Sequence, residues 1–161
     1  MSADEEIAAG EQALSQLDYD SAYRHFDKAT KADPKNAVAF FGKAEAALGV
    51  PKAEAEEVLG LYKKAIELDG ENPQYRDALA SFCVDLGRFN DAEEQYNAAA
   101  KLDEENAPFY WSEFAIQYAR KAPVIMEQFL DDNTKDMIRT KALTYALKAL
   151  GIEKEDAKRL I

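Results

Sequence analysis

The chain has 161 residues, a length that fits one domain, and 47% of them are hydrophobic and 32% charged, as in an ordinary globular protein. It carries 20 Lys and Arg against 31 Asp and Glu, a net charge of −11 that argues against nucleic acids and anionic lipid surfaces as partners. The acidic N-terminus, the lack of a long apolar run and the single cysteine, Cys83, predict a cytoplasmic protein without a membrane span.

Three consecutive segments of the chain share one pattern of residues. An aromatic residue occupies the same place in each, and Phe26, Tyr62 and Tyr96 follow one another at intervals of 36 and 34 residues. Three further columns keep these two intervals: Ala29, Ala65 and Ala99; Asp33, Asp69 and Asp103; Asn36, Asn72 and Asn106. Such a period predicts stacked copies of one supersecondary unit. We place the units at residues 3–36, 37–72 and 73–106, with two extra residues of the middle unit in the loop 49–52.

Each unit is predicted to contain two helices. No stretch of alternating apolar and polar residues is long enough to predict a strand, which favours an all-α fold. The five prolines, Pro123 among them, fall at predicted turns or first helical turns, where the missing N–H costs little. Asparagine precedes three of the predicted helix starts as an N-cap residue, at Asn36, Asn72 and Asn106.

The period, a small residue four places before an aromatic one, and a closing proline together resemble the tetratricopeptide repeat (TPR). Ala22, Phe26, Ala29 and Pro34 match the second-helix pattern of that repeat fully, whereas the second and third units lack the closing proline. The resemblance implies an all-α solenoid of helix–turn–helix units wound as a right-handed superhelix. In such units small residues let paired helices approach, and the aromatic side chain fills the space between neighbouring pairs.

A fourth unit begins like the others and then departs from the pattern. Its first helix is predicted from residue 107 to about 119, but Met126, Leu130 and Asn133 replace the expected column of its second helix. An amphipathic helix at 135–150, ended by Gly151, and a short helix at 153–160 are predicted to follow. Because the last unit of a solenoid must cover its apolar edge, we predict a repeat array over residues 1–119 and a helical cap over 120–161. The alternatives are that residues 120–161 bind a partner or fill the groove of the array.

No constellation of residues points to catalysis. His25, the single histidine, has no Ser or Cys partner pattern, and Cys83 lies on an apolar stripe that predicts burial. The acidic clusters lack calcium-loop spacing, and the sequence has neither a phosphate-binding loop nor a His/Cys metal spacing. We therefore predict that the protein is not an enzyme and uses no cofactor and no metal.

The resemblance also implies a binding site. In TPR proteins the first helices of successive units line a concave groove that holds a peptide, and the residue after the bulky packed position, here Phe40 and Tyr110, is expected to face that groove. This register assigns nine residues to the groove: Ile7, Glu11, Phe41, Glu45, Asp77, Ser81, Asp85, Trp111 and Tyr118. Aromatic anchors beside unpaired acids suit a partner peptide with basic and apolar residues.

One known ligand of TPR proteins, the acidic tail of heat-shock chaperones, does not fit this sequence. Co-chaperone TPR proteins hold the acidic tail of heat-shock chaperones with a clamp of Lys, Asn and Arg residues on their first helices. The matching positions in this chain are Ile7, Glu11, Gly42, Gln74 and Ala78, and none carries a clamp side chain. Lys43 and Arg76 lie nearby, so an error of one residue in the register would restore part of the clamp. In the register given, the sequence argues against a chaperone tail as the ligand.

The predicted function is that of a non-catalytic adaptor that binds a protein or peptide partner in its groove. A structural module that forms homo-oligomers through its repeat edges or its cap is the alternative, and a regulatory subunit of a separate enzyme is a third. A monomer is predicted in preference to a homo-oligomer.

Overall fold

A computed structural model describes residues 1–157, and every regular element within them is helical, which confirms the all-α prediction. In chain order the helices are α1 Ala3–Ser15, α2 Tyr19–Ala32, α3 Ala37–Ala47, α4 Ala55–Leu68, α5 Pro73–Asp85, α6 Phe89–Leu102, α7 Ala107–Ile125, α8 Asp132–Ala149 and α9 Lys154–Ala157. Short 3₁₀ segments, Glu104–Asn106 and Glu127–Phe129, precede α7 and α8. None of the helices in this part of the chain is both long and apolar enough to cross a lipid bilayer.

Helices α1 to α6 form the three predicted pairs, one pair in each predicted unit. The loop between α3 and α4 covers residues 48–54, so the extra residues of the middle unit lie in the expected loop. Asn36 caps α3 as predicted, because its Oδ1 accepts a hydrogen bond from the backbone N–H of Ala39. Asn106 does not cap α7; its amide donates instead to the carboxylate of Asp103.

The chain divides into two compact units, Met1–Tyr75 (unit 1) and Arg76–Ile161 (unit 2). This division falls within α5, whereas the division predicted at residue 119 falls inside α7, which continues to Ile125. Residues 119–122 are Ala, Arg, Lys and Ala, all strong helix formers, and they extend the helix past its predicted end. Pro123 therefore lies inside the last turn of α7 and not in a connecting turn.

The core of unit 1 contains Phe26, the aromatic residue of the first repeat. Its side chain is 1% exposed. A Cβ atom added to Gly10 on α1 would lie 2.8 Å from Cε2 of Phe26, and one added to Gly42 on α3 would overlap the same ring. Glycines on two neighbouring helices therefore make the room that the Phe26 ring occupies.

Tyrosine takes the equivalent position in the second and third repeats. Tyr62 and Tyr96 are each 1% exposed. The hydroxyl of Tyr62 donates to Glu45 at 2.5 Å, and that of Tyr96 hydrogen-bonds with Ser81. A buried hydroxyl without a partner would cost free energy, so each tyrosine needs a polar residue on the first helix of its own pair.

Helix α8 packs along α7 in unit 2. Asp131 caps it by accepting from the backbone N–H of Thr134 at 2.7 Å, and Gly151 follows it with a positive φ of 69°. The helix predicted at 135–150 thus begins three residues earlier than expected. Of the short helix predicted at 153–160, α9 accounts for Lys154–Ala157, and residues 158–160 lie outside the described residues.

Candidate functional site

The predicted groove residues of unit 1 lie in different environments. Ile7 is 9% exposed and belongs to the core, so it leaves the set of surface candidates. Glu11 is exposed. Phe41 is partly exposed and packs against Tyr75, with ring centroids 4.7 Å apart, and against Tyr62 at 6.0 Å. An aromatic surface supported from beneath by two further rings can contact a ligand without a change of conformation.

Glu45 is a half-buried acceptor and not a free acid. It accepts the hydrogen bond from the Tyr62 hydroxyl, and burial together with this carboxylate raises the pKa of Tyr62 far above its usual value. The prediction of an unpaired acid at this position therefore needs correction. Glu45, a predicted groove residue, is instead the hydrogen-bond partner that the buried hydroxyl of Tyr62 requires.

In unit 2, Asp77 on α5 and Glu113 on α7 form an acidic pair. Burial, and then the negative charge of Glu113, raise the pKa of Asp77. Neither carboxylate makes an ion pair with a basic side chain of the described chain. The negative charge of Glu113 thus disfavours the ionised form of Asp77, and a cation bound near both carboxylates would relieve this repulsion.

The other two groove candidates on α5, Ser81 and Asp85, have partners. Ser81 hydrogen-bonds with Tyr96, and Asp85 forms an ion pair with Lys121 of α7. Asp85 is therefore not an unpaired acid, although half of its side chain remains exposed. Lys121 lies past the predicted end of its helix, and the extension of α7 brings it to Asp85.

Trp111 and Tyr118 differ most from their predicted places. The indole Nε1 of Trp111 donates to Oδ1 of Asn97 on α6 at 3.2 Å, and Nζ of Lys148 on α8 lies 4.3 Å from the ring centroid. Trp111 thus lies against second helices, whereas Glu113, on another side of α7, interacts with Asp77 of α5. Tyr118 is 3% exposed and stacks on Phe114, with centroids 5.3 Å apart, so it lines no surface.

A polar network that no sequence pattern predicted joins α8 to α6. The Tyr145 hydroxyl donates to Glu93 at 2.7 Å and accepts from the Asn97 amide at 2.8 Å, while Lys141 pairs with Glu93 at 2.8 Å. Burial, and then Glu93, raise the pKa of Tyr145 to about 12. These residues are about 50 positions apart along the chain and follow no period, so no repeat signal could have found them.

The residues weighed for catalysis take structural positions. His25 lies with Nδ1 2.7 Å from Oε2 of Glu6, and this hydrogen bond is the main cause that lowers the pKa of Glu6. Cys83 is buried, as its apolar stripe predicts. No group of three or more metal-binding side chains occurs within residues 1–157.

Comparisons with known proteins connect this architecture to others. No family model matches the chain. Over 99 residues it is 36% identical to a Protein STIP1 homolog of Dictyostelium discoideum, a match that covers 60% of this chain and only 17% of that relative.

Two solved structures resemble the whole chain. YrrB, reported as a TPR protein with an unusual peptide-binding site, superposes with a TM-score of 0.67 at 17% identity, covering 98% of this chain and 73% of that one. The MamA protein superposes with a TM-score of 0.63 at 18% identity, covering 99% and 96%. The helix pairs, their repeated columns and these likenesses show that the chain has the tetratricopeptide-repeat fold.

Proposed function

We propose that the chain is a non-catalytic adaptor that binds a basic and apolar segment of a partner protein on the surface of its first helices. The TPR fold and the peptide-binding site reported for YrrB support a protein or peptide as the ligand. Because one fold serves many functions, the character of the partner has to be argued from the surface itself.

The acidic pair of unit 2 carries this proposal. Asp77 is half-buried, Glu113 lies close enough to raise its pKa, and no lysine or arginine of the described chain pairs with either. A Lys or Arg side chain of a partner placed between the two carboxylates would gain two attractive contacts and remove one repulsive contact. Electrostatic complementarity of this kind gives specificity and speeds association.

Apolar side chains lie next to the acidic pair on α7. Phe109 and Ile116, four residues before and three residues after Glu113, share its side of the helix. They are 51% and 49% exposed, so both present apolar surface to solvent on the side of α7 that carries Glu113. An apolar and acidic strip matches a partner segment in which apolar residues alternate with basic ones.

The test compares two double variants that remove the same charge. Asp77→Asn with Glu113→Gln neutralises the acidic pair, and Glu54→Gln with Glu71→Gln neutralises two exposed acids of unit 1. Immobilised wild-type and variant proteins are incubated with an extract of the source cells, and captured proteins are quantified by mass spectrometry. We expect the Asp77/Glu113 variant to capture about fivefold less of a specific partner than the wild-type protein does, whereas the control variant captures the same amount.

Equal capture by both variants would contradict the proposal, because net charge would then explain all of the binding.

Sedimentation velocity of the wild-type protein at several concentrations tests the alternative of a self-assembling module. A sedimentation coefficient that rises with concentration would favour self-assembly, and the monomer expected of an adaptor keeps one value.

A further inference from the structure

A second recess of unit 2 lies on another side of α7, between second helices. It is open to solvent, has a volume of about 550 Å³ and is lined by Asn97, Ala100, Lys101, Glu104, Ala107, Trp111 and Lys148. All of these residues belong to α6, α7, α8 and the 3₁₀ segment before α7. The acidic strip proposed above shares none of them.

Hydrogen bonds hold the aromatic wall of this recess in one orientation. The indole of Trp111 donates to Asn97, the amide of Asn97 donates to Tyr145, and the hydroxyl of Tyr145 donates to Glu93. The chain of donors ends on a carboxylate, so each link has a defined direction. Because the partly exposed indole is held before any ligand arrives, binding against it would cost little conformational entropy.

The recess is basic although the protein as a whole is acidic. Lys101 and Lys148 are exposed, and neither forms an ion pair with any carboxylate of residues 1–157. The ammonium of Lys148 lies over the ring of Trp111. Glu104 is the carboxylate of the lining, so the two lysines leave an excess of one positive charge.

We propose that this recess binds a segment of a protein partner that carries a carboxylate side chain next to an apolar one. The carboxylate lies between the ammonium groups of Lys101 and Lys148, and the apolar side chain contacts Trp111, Ala100 and Ala107. The net charge of −11 repels polyanions at long range, so the ligand has few charges and gains its attraction at contact, within a Debye length of about 8 Å. The adaptor would then hold two segments of opposite charge on separate surfaces.

The probe for this site is a dye-labelled, acetylated and amidated peptide, Ala-Glu-Leu-Glu-Ala, with Ala-Gln-Leu-Gln-Ala as its uncharged counterpart. Fluorescence anisotropy measures binding, and the emission of Trp111, the single tryptophan, reports whether an unlabelled peptide reaches the recess. We expect saturable binding of the Glu peptide with a change in Trp111 emission, and affinity about fivefold lower for the Gln peptide.

Charge variants of the lining test which residues act. Lys101→Gln and Lys148→Gln should each weaken binding of the Glu peptide about threefold, and Glu104→Gln should strengthen it by a similar factor. Lys63→Gln, which removes an exposed lysine of unit 1, is the matched control and should change nothing. Circular dichroism and melting temperature confirm that each variant remains folded.

Three results would overturn the proposal. One is equal affinity for the Glu and Gln peptides, and another is the absence of saturable binding of the Glu peptide at up to about 1 mM. The third is a change in Trp111 emission with inorganic phosphate or acetate but not with the peptide, which would assign the recess to small anions. If no partner depends on Asp77 and Glu113, the proposed function fails, but the peptide affinities and the Trp111 emission are unaffected. The two proposals can therefore fail separately.

Discussion

The first repeat, in unit 1, and the third repeat, in unit 2, bury the same position by different physical means. In unit 1, Phe26 lies between Gly10 and Gly42, and the interface depends on the space that two missing side chains provide. In unit 2, Tyr96 hydrogen-bonds with Ser81, and its ring lies 5.9 Å from that of Phe114. The first interface is specified by volume alone, whereas the second also requires a polar partner for a buried hydroxyl.

Polar contacts also help to attach α8 to the rest of unit 2. Helix α8 buries Ile138 and Tyr145, but leaves Met137 and Leu143 more than half exposed. Hydrogen bonds from Tyr145 and Lys141 to Glu93 connect it to α6. A helix with so narrow an apolar face depends in part on its polar contacts for its position.

The largest effect is expected from removal of the aromatic ring in unit 1. Phe26→Ala should lower the free energy of unfolding by about 3–5 kcal/mol, because a fully buried ring is lost between two glycines that cannot fill the cavity. Urea unfolding followed by circular dichroism measures the change. Phe129→Ala is the control, since Phe129 is 74% exposed, and it should have an effect below about 0.5 kcal/mol. Equal losses for the two variants would contradict the role assigned to Phe26.

The second effect comes from the glycines themselves. Gly42→Ala should destabilise the protein by about 1–3 kcal/mol, because the added Cβ overlaps the ring of Phe26. Gly60→Ala on α4 meets no atom within 4 Å and should stabilise by up to about 1 kcal/mol through helix propensity. The same substitution in two helices thus has opposite signs. A stabilising Gly42→Ala would show that Phe26 is held less tightly than the packing indicates.

The third effect tests the polar attachment of unit 2. Tyr145→Phe keeps the ring and removes hydrogen bonds to Glu93 and Asn97, which should cost about 1–2 kcal/mol in the free energy of unfolding. Tyr19→Phe is the control. It removes a hydroxyl that makes no hydrogen bond in the described chain, so it should be near neutral. If Tyr145→Phe is equally neutral, the network does not hold α8.

The contribution of Tyr145 should also depend on pH. Its pKa is about 12 in the folded protein and about 10 in an unfolded chain, so the protonated hydroxyl favours folding. The contribution is therefore complete below pH 10 and is lost as the pH rises from 10 through 12. The difference in unfolding free energy between wild type and Tyr145→Phe should shrink over this range. A difference that stays constant to pH 12 would contradict the assigned pKa.

Sequence patterns predicted the repeated part of the fold well. The columns of Phe26 and Ala29 recur because every repeat packs the same position against the same neighbours, and they predicted three helix pairs and their loops. The length of α7 was not predictable from these columns, because residues 119–125 have no equivalent in the other repeats and the proline indicated an earlier end.

Candidate site residues were less predictable than the fold, because equivalent positions acquire different neighbours at the end of an array. Phe41 and Trp111 occupy one column, but Phe41 packs on Tyr75 of the following first helix, and Trp111 contacts Asn97 and Lys148. No pattern identified Glu113, which lies on α7 two residues past the column. Its relation to Asp77 depends on how two helices approach, and a one-dimensional register does not contain that information.

The smallest effect expected concerns the turns between paired helices. Leu17 in unit 1 and Gly87 in unit 2 occupy the same place in their repeats, with φ angles of 59° and 74°. Both turns have the same hydrogen bonds: Asp18 N–H donates to Ala13 O at 2.9 Å, and Arg88 N–H donates to Cys83 O at 2.8 Å. The left-handed conformation costs a residue with a side chain about 1–2 kcal/mol, which unit 2 avoids by using glycine.

Leu17→Gly should therefore stabilise the protein by about 0.5–1 kcal/mol, which is the relief of that strain less the greater backbone entropy that glycine loses on folding. Little burial is lost, since Leu17 is 71% exposed. The reverse change, Gly87→Ala, introduces the strain and brings a Cβ to 2.9 Å from Cγ2 of Ile125, so it should destabilise. Urea midpoints of the two variants should move in opposite directions from the wild-type value. If Leu17→Gly lowers its midpoint instead, the turn of unit 1 depends on the Leu17 side chain, and the two turns are equivalent in backbone shape only.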